Sequence, residues 1–215
     1  LKRPAVLNLS LGTHFSSHDG SSEEEQLLDF ISDPVKGFGI PVIVAAGNEG
    51  RLNIQANSRF GARKQGQMDI QSPPIEVSVS QPSALLGNFA SKDDWGLFFR
   101  STNPIFRDAS DKPAEIYLFK RNGEVQVATE PAVADEKNFK LFLQAFRQIN
   151  NGKTDSIMLQ LPVGQYVMFG FGASANVTDG KFNLYLPDPE GASFGMGTEK
   201  KFMVSSPGNA ANVIT

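Results

Sequence analysis

The sequence contains no cysteine among its 215 residues, which excludes disulfide bonds and thiolate metal sites. No apolar stretch approaches the roughly 20 residues of a membrane-spanning helix, so no membrane span is predicted. The net charge is −3 and no long basic run is present, which makes nucleic acid an unfavoured partner. Hydrophobic residues make up 40% of the chain, enough for a buried core in one large domain or two small ones.

The two ends of the chain resemble cuts in a longer sequence. Leu1-Lys2-Arg3-Pro4 leads directly into an apolar strand and has the features neither of a signal peptide nor of a natural start. Val213-Ile214-Thr215 has the pattern of a strand that has just begun. We therefore expect a longer parent chain.

Residues 1–50 have the pattern of a strand, a helix and a second strand. Residues 5–11 and 41–46 are apolar on both faces, which is typical of buried parallel strands. The helix between them is predicted from a capping signal, Ser21 or Ser22 followed by Glu24 or Glu25. Its apolar face is formed by Leu27, Leu28, Ile31 and Val35, and Pro34 is expected to shorten it. The order of elements predicts a parallel pair of strands joined by a crossover.

From residue 75 the chain becomes a series of short strand patterns separated by turn residues. The predicted strands are Ile75–Ser80, Trp95–Arg100, Glu115–Phe119, Val125–Thr129, Ser156–Leu161, Gln165–Gly170 and Lys181–Leu186. Hairpin turns are indicated at Asn122-Gly123 and at Asp179-Gly180. This spacing predicts an antiparallel β-sandwich or jelly roll over residues 75–204. The polar residues 51–74 are interpreted as a linker with at most one strand.

One segment of the β-rich region follows a helical period instead. Its apolar residues are Phe139, Phe142, Leu143, Phe146 and Ile149. We predict a helix over residues 136–150, ended by Asn151-Gly152, although phenylalanine and isoleucine also suit a strand.

The β-rich region is also rich in aromatic residues. They are Trp95, Phe98, Phe99, Tyr117, Phe119, Tyr166, Phe169 and Phe171. We expect these side chains to form the core of the sandwich, because large aromatic side chains bury the most apolar surface. The alternative is a surface platform that binds a sugar.

Three stretches carry a resemblance to a known family. They are Val6 to Gly12, which ends in Ser-Leu-Gly, Val42 to Gly50, which contains Ala-Ala-Gly-Asn-Glu-Gly, and Ser206 to Thr215. In this order they resemble the subtilases, the subtilisin-like serine proteases. The resemblance covers residues 5–50 and 205–215. In the minimal protease the second and third stretches lie close together, whereas here the β-rich region separates them.

Some bacterial subtilases, such as the clostridial spore-germination Csp proteases, carry a jelly-roll insert at this place. Residues 161–166 together with 179–186 resemble such an insert, and the loop Gly12–Ser22 is similar to that group as well. The resemblance implies a partial subtilisin-like parallel α/β core (β-α-β) with a large inserted antiparallel β-sandwich or jelly-roll domain. The implied divisions are a core segment at 1–50, the linker, the inserted domain at 75–204, and a return to a core strand at 205–215.

The catalytic triad of the family is missing from this sequence. Acyl transfer needs a nucleophilic serine, a histidine base and an aspartate, and the chain has no Gly-Thr-Ser and only two histidines. Gly12-Thr13-His14 imitates part of the histidine motif, but His14 and His18 are best interpreted as residues of a surface loop. With Asp19 they could be offered as a metal cluster, yet no fourth ligand is evident, and we predict no metal site.

The resemblance assigns Asn48 as the oxyanion donor. A preorganised amide N–H aimed at the developing negative charge stabilises the transition state more than the ground state. The alternative is an ordinary turn residue after a strand. Substrate-binding residues are assigned in the same way. These are Ser10, Leu11, Gly12, Ala45, Ala46 and Gly47; for the first three, the plain end of a strand is the alternative.

The resemblance implies that the parent is a serine endopeptidase, secreted or associated with the bacterial cell envelope. This chain would supply the oxyanion asparagine and part of the cleft, and it would be inactive alone. The implied partners are a peptide or protein substrate and the rest of the protease domain. No cofactor is expected in this chain; calcium sites are common in the family, and the parent could hold calcium. The alternative is a non-catalytic β-sandwich that binds a glycan or a protein within a pseudoprotease.

Overall fold

The computed structural model describes residues 4–12, 20–47, 52–61, 71–195 and 210–214. The chain divides into two compact units. The first comprises Leu1–Arg51 with Lys200–Thr215, and the second comprises Leu52–Glu199. Within the described residues, neither helix is long and apolar enough to cross a bilayer.

The first unit is a β-α-β unit built on parallel strands. It consists of β1 (Leu7–Leu9), α1 (Glu23–Ser32) and β2 (Val42–Val44). Leu7 pairs with Val42 and Leu9 with Val44 in parallel register. Ile214 forms a parallel bridge to Ile43 on the other side of β2. The α/β part of the predicted fold class is therefore confirmed.

Helix α1 begins with the predicted capping box. The Ser22 Oγ accepts from the Glu25 backbone N–H at 3.3 Å, and the Glu25 Oε2 accepts from the Ser22 N–H at 3.0 Å. The helix ends at Ser32, before Pro34, so Val35 lies beyond it. Only Leu28 of the predicted apolar face is buried; Leu27 and Val35 are exposed, which corrects the prediction.

The second unit is an antiparallel β-sandwich, as the sequence predicts. One sheet has five strands in the order β3-β12-β5-β10-β9, and the other has six in the order β13-β4-β11-β6-β7-β8. The strands of the first sheet are β3 (Gln55–Arg59), β5 (Ser83–Ala90), β9 (Arg147–Asn150), β10 (Thr154–Leu161) and β12 (Lys181–Tyr185). Those of the second are β4 (Ile75–Val79), β6 (Trp95–Ser101), β7 (Glu115–Arg121), β8 (Glu124–Glu130), β11 (Gly164–Gly172) and β13 (Ala192–Phe194).

The predicted helix over 136–150 is only partly correct. Helix α2 spans Glu136–Gln144, and residues 147–150 form β9 instead. The Asn151 side chain accepts from the backbone N–H groups of Lys153 and Thr154, which closes a tight turn into β10. Asn151-Gly152 therefore ends a strand, because ladder bonds to β10 outweigh the helical period of the apolar residues.

The two sheets pack on each other through large aromatic side chains. Phe89 of β5 stacks on Trp95 of β6 with ring centroids 4.1 Å apart. Phe182 of β12 stacks on the same Phe89 at 5.5 Å. At another part of this core, α2 contributes Phe142, which packs edge-on against Phe106. Stacked and edge-on aromatic pairs of this kind stabilise the core beyond the burial of their area.

A buried carboxylate fixes one of the loops of the sandwich. Asp93 is 1% exposed, and its two oxygens accept hydrogen bonds from the turn at 178–180. The donors are the Thr178 N–H and Oγ1, the Asp179 N–H and the Gly180 N–H, at 2.6–3.2 Å. Burial by itself raises the pKa of Asp93, but these hydrogen bonds outweigh it and hold the pKa below its ordinary value.

We predict that Asp93→Ala lowers the free energy of unfolding by about 2–4 kcal/mol, because it leaves several backbone donors of the 178–180 turn without a partner. The stabilising effect of a carboxylate with a lowered folded pKa is present above the unfolded value of about 3.9. It is lost as the pH falls through the folded pKa. Denaturant unfolding from pH 7 to pH 2.5 should therefore show the variant and the wild type converging in acid.

The matched control is Glu124→Gln, which removes a carboxylate from an exposed position. It should change stability by less than about 0.5 kcal/mol. A constant difference between Asp93→Ala and wild type over the whole pH range would contradict the assignment.

Candidate functional site

The carboxyl ends of β1 and β2 lie side by side. The two strands are in parallel register, and the Ala45 backbone N–H donates to the Leu9 carbonyl at 2.9 Å. Residues 10–12 and 45–47 therefore leave the sheet at the same edge, and all six are exposed. In open α/β sheets this edge, beyond the carboxyl ends of the strands, is where ligands bind. The structure brings together the two segments to which the sequence assigned substrate binding.

A third segment, residues 212–214, lies alongside β2. The Val44 N–H donates to the Ile214 carbonyl, and the Ile214 N–H donates to the Val42 carbonyl, both at 2.9 Å. The Asn212 N–H donates to the Asp29 carboxylate of α1 at 2.7 Å. Residues 212–214 are thereby held against both β2 and the helix of this unit.

Gly47 is the last described residue before Asn48. Its φ is 100°, in a region that L side chains rarely adopt. The chain therefore changes direction at Gly47, immediately after the exposed Ala45 and Ala46. Asn48, His14 and His18 lie outside the described residues, and their assignments remain predictions.

The outer face of the six-stranded sheet carries a second cluster that the sequence did not place. On β6, the fully buried Trp95, Leu97 and Phe99 alternate with Gly96, Phe98 and Arg100. The pairing register puts Phe169, Phe171, Tyr117 and Phe119 on the same outer face as Phe98. Phe98 is itself buried, with 6% of its surface exposed, so the prediction that it is a core residue holds. The prediction is wrong for the other four rings of this face, which are half-buried. Alternation along a strand decides which face a side chain takes, and β6 and β11 carry aromatic side chains on both faces.

The rings of this aromatic face stack on one another. Phe98 lies 4.9 Å from Phe169 and 5.4 Å from Tyr117 between ring centroids, with interplanar angles of 14° and 29°. Rings lying flat side by side cannot have centroids this close, so the three rings stand upright across neighbouring strands and present their edges outwards. Phe171 differs, because its ring lies over Gly96, where an added Cβ would be 2.3 Å from it.

A charged network borders the aromatic face. The Glu115 carboxylate accepts from the Arg100 Nε at 2.7 Å and from the Tyr117 hydroxyl. Burial raises the pKa of Glu115, but the hydrogen bonds from Tyr117 and Arg100 outweigh it and lower the pKa overall. Burial, together with the bond to Glu115, raises the pKa of Tyr117 to about 12. At neutral pH the network is therefore a carboxylate held between a guanidinium and a neutral phenol.

Comparisons with known proteins give a fold and no family. No protein-family model and no curated protein matches the chain. Among solved structures, the chain is similar to the CspB protease of Clostridium perfringens, with a TM-score of 0.57 and 16% sequence identity. The match covers 97% of this chain and 40% of the protease. The chain thus has the fold of a part of that protease and spans well under half of its length.

Gly96 and Phe171 give a direct test of the aromatic face. We predict that Gly96→Ala lowers the free energy of unfolding by about 1–3 kcal/mol, because the new methyl group displaces the Phe171 ring. In the double variant Gly96→Ala/Phe171→Ala the clash is absent, so the cost of the Gly96 change should largely disappear. Denaturant unfolding of the four proteins measures this coupling. Strictly additive costs would show that the ring does not lie over Gly96.

Proposed function

We propose that this chain is part of a subtilisin-like serine endopeptidase, to which it supplies the oxyanion donor Asn48 and two walls of the substrate cleft. The supporting observation is that residues 10–12 and 45–47 leave a parallel pair of strands at one edge. The similarity in fold to a clostridial protease agrees with this proposal. Peptide hydrolysis belongs to the parent, which we place outside the cytoplasm, secreted or at the cell envelope.

The residues present in this chain suit substrate binding and oxyanion stabilisation, and the residues that it lacks are those of the catalytic triad. An extended peptide bound along the edge would meet the exposed backbone of Ser10, Leu11 and Gly12 on one side. Ala45, Ala46 and Gly47 would border it on the other side, and their small side chains leave room for a substrate side chain. Asn48 would then stabilise the oxyanion of the acyl-transfer intermediates. The nucleophile, its base and the orienting aspartate must come from the rest of the parent, and so would any calcium.

We predict that Asn48→Ala in the parent lowers kcat by about 10²–10³-fold with little change in KM, a magnitude that comes from one oxyanion donor in subtilisin itself. The reason is that the donor bonds to charge that exists only in the transition state. Steady-state kinetics on a chromogenic peptide measures it. Asn8→Ala, an exposed residue of β1, is the control and should leave kcat within twofold. An active parent indifferent to Asn48→Ala would remove the oxyanion role from Asn48.

The aromatic face favours a second candidate function, binding by the sandwich in a pseudoprotease. Phe98 is buried, but its neighbouring rings are half-buried, so this face keeps aromatic surface that a partner can contact. The stacked rings of Phe169, Phe98 and Tyr117 offer edges, whereas a sugar stacks on ring faces. Phe171 differs, because its ring lies over Gly96. For this candidate, a protein partner is therefore favoured over a glycan.

We predict that the chain is not retained on insoluble cell-wall polysaccharide in a pull-down assay, because few ring faces are free. Retention that is abolished by Phe171→Ala and kept in the control Phe139→Ala, which removes a ring of α2, would reverse this choice. It would make the sandwich a glycan-binding module. A parent with no peptidase activity in any form would further favour the binding candidate.

A further inference from the structure

A lysine and a carboxylate are buried together between the two sheets. Lys120 of β7 is 5% exposed and Asp155 of β10 is 0% exposed. The Lys120 Nζ lies 2.7 Å from the Asp155 Oδ2. The Trp95 Nε1 donates to the same oxygen at 2.9 Å, and the Lys120 Nζ also donates to the Ser91 carbonyl. The amine is therefore held on the carboxylate in a site closed by aromatic rings.

A carboxamide completes this buried group. The Asn150 Nδ2 donates to the other oxygen of Asp155, Oδ1. The Asn150 Oδ1 in turn accepts from the Gly152 backbone N–H at 2.7 Å. The amide carbonyl is thereby polarised by a fixed donor, in the manner of an oxyanion site. The Asp155 carboxylate thus contacts both the amine of Lys120 and the amide nitrogen of Asn150. The amine is a nucleophile when it is neutral, and the amide nitrogen is the leaving group when an amide is attacked.

The ion pair of Lys120 and Asp155 is buried between the sheets. Keeping an ammonium and a carboxylate away from water costs free energy that their mutual attraction only partly offsets. Transfer of one proton from Lys120 to Asp155 leaves two neutral groups and a free lone pair on the Lys120 Nζ. Buried amines deprotonated in this way serve as nucleophiles in proteins.

We propose that Lys120 and Asn150 react to form an amide bond that links the two sheets. Asp155 Oδ2 takes one proton from the Lys120 ammonium, and the lone pair of Nζ then attacks Cγ of Asn150. The Cγ–Nδ2 bond breaks with its electron pair on nitrogen, which takes the second proton from Nζ and leaves as ammonia. The products are the Nζ–Cγ amide, a protonated Asp155 and one ammonia molecule, with no oxidant or co-reactant required.

The position of Asn150 suits this reaction. It is the last residue of the edge strand β9 and is exposed on one side, which gives the ammonia a path to solvent. The amine arrives from the opposite sheet, so the new bond would tie β7 to β9 across the sandwich. Both buried charges disappear in the product, so the reaction removes the desolvation cost of the ion pair.

The test is the mass of the intact, folded chain. The wild type should be lighter than its sequence by one ammonia molecule, and a tryptic digest should contain a branched peptide joining Lys120 to Asn150. Lys120→Arg, which keeps the charge, and Asp155→Asn, which removes the proton acceptor, should both have the full sequence mass. Lys112→Arg, at an exposed lysine, is the control and should keep the mass loss.

Asn150→Ala separates loss of the reaction from loss of folding, because it removes the amide but leaves the Lys120–Asp155 pair intact. It should melt cooperatively and have the full mass. Asn122 and Asn151 each precede glycine, and a succinimide at either would also release ammonia. That loss would persist in Lys120→Arg and give no branched peptide, and it would overturn the proposal. A folded wild type of full mass, or a water loss joining Lys120 to Asp155, would overturn it as well.

Discussion

The carboxylate of Asp155 decides how the two sheets of the sandwich meet. It lies on β10, in the five-stranded sheet, and is bound by side chains from β6 and β7 of the opposite sheet and by Asn150 of β9. A buried carboxylate without partners would cost several kcal/mol, so all of these strands must arrive in register together. A slip of β10 by one residue would turn Asp155 to the outer face and bring Ser156 inside. The aromatic packing of Phe89 on Trp95 fits the same register and reinforces it.

The sequence predicted strands well wherever one face is apolar and the other polar. β4 is the clearest example, since Ile75, Val77 and Val79 are buried and alternate with exposed residues. β5 was missed, although it is a central strand, because Gly87 and Asn88 interrupt its apolar run and both of its faces are covered. Segment 147–150 was assigned to the preceding helix, since its only apolar residue, Ile149, continued the helical period. Its true partner, β10, becomes apparent only when the chain is folded.

The aromatic residues show that composition alone does not predict which face of a strand is buried. A sequence shows that β6 and β11 are rich in large rings, but alternation alone cannot say which face is covered when both faces carry them. On β6 the sequence Trp95-Gly96-Leu97-Phe98-Phe99 places rings on both sides, and the cross-strand register settles which are inside. Gly96 was the one residue whose type indicated the packing on the outer face. A glycine within a strand indicates a close approach from another group, here the ring of Phe171.

The position of the candidate site could be predicted better than the arrangement of the aromatic residues, because it depends on the parallel pairing of two strands. A strand, a capped helix and a second strand force the two strand ends to the same edge, so residues 10–12 and 45–47 had to meet. The chemistry at that edge does not follow from the pairing. The role of Asn48 comes from its likeness to a family motif, and an oxyanion donor accelerates nothing unless a nucleophile attacks in front of it. Under the proposed function, this edge would bind a peptide and Asn48 would polarise its carbonyl, and bond cleavage would depend on residues that this chain lacks.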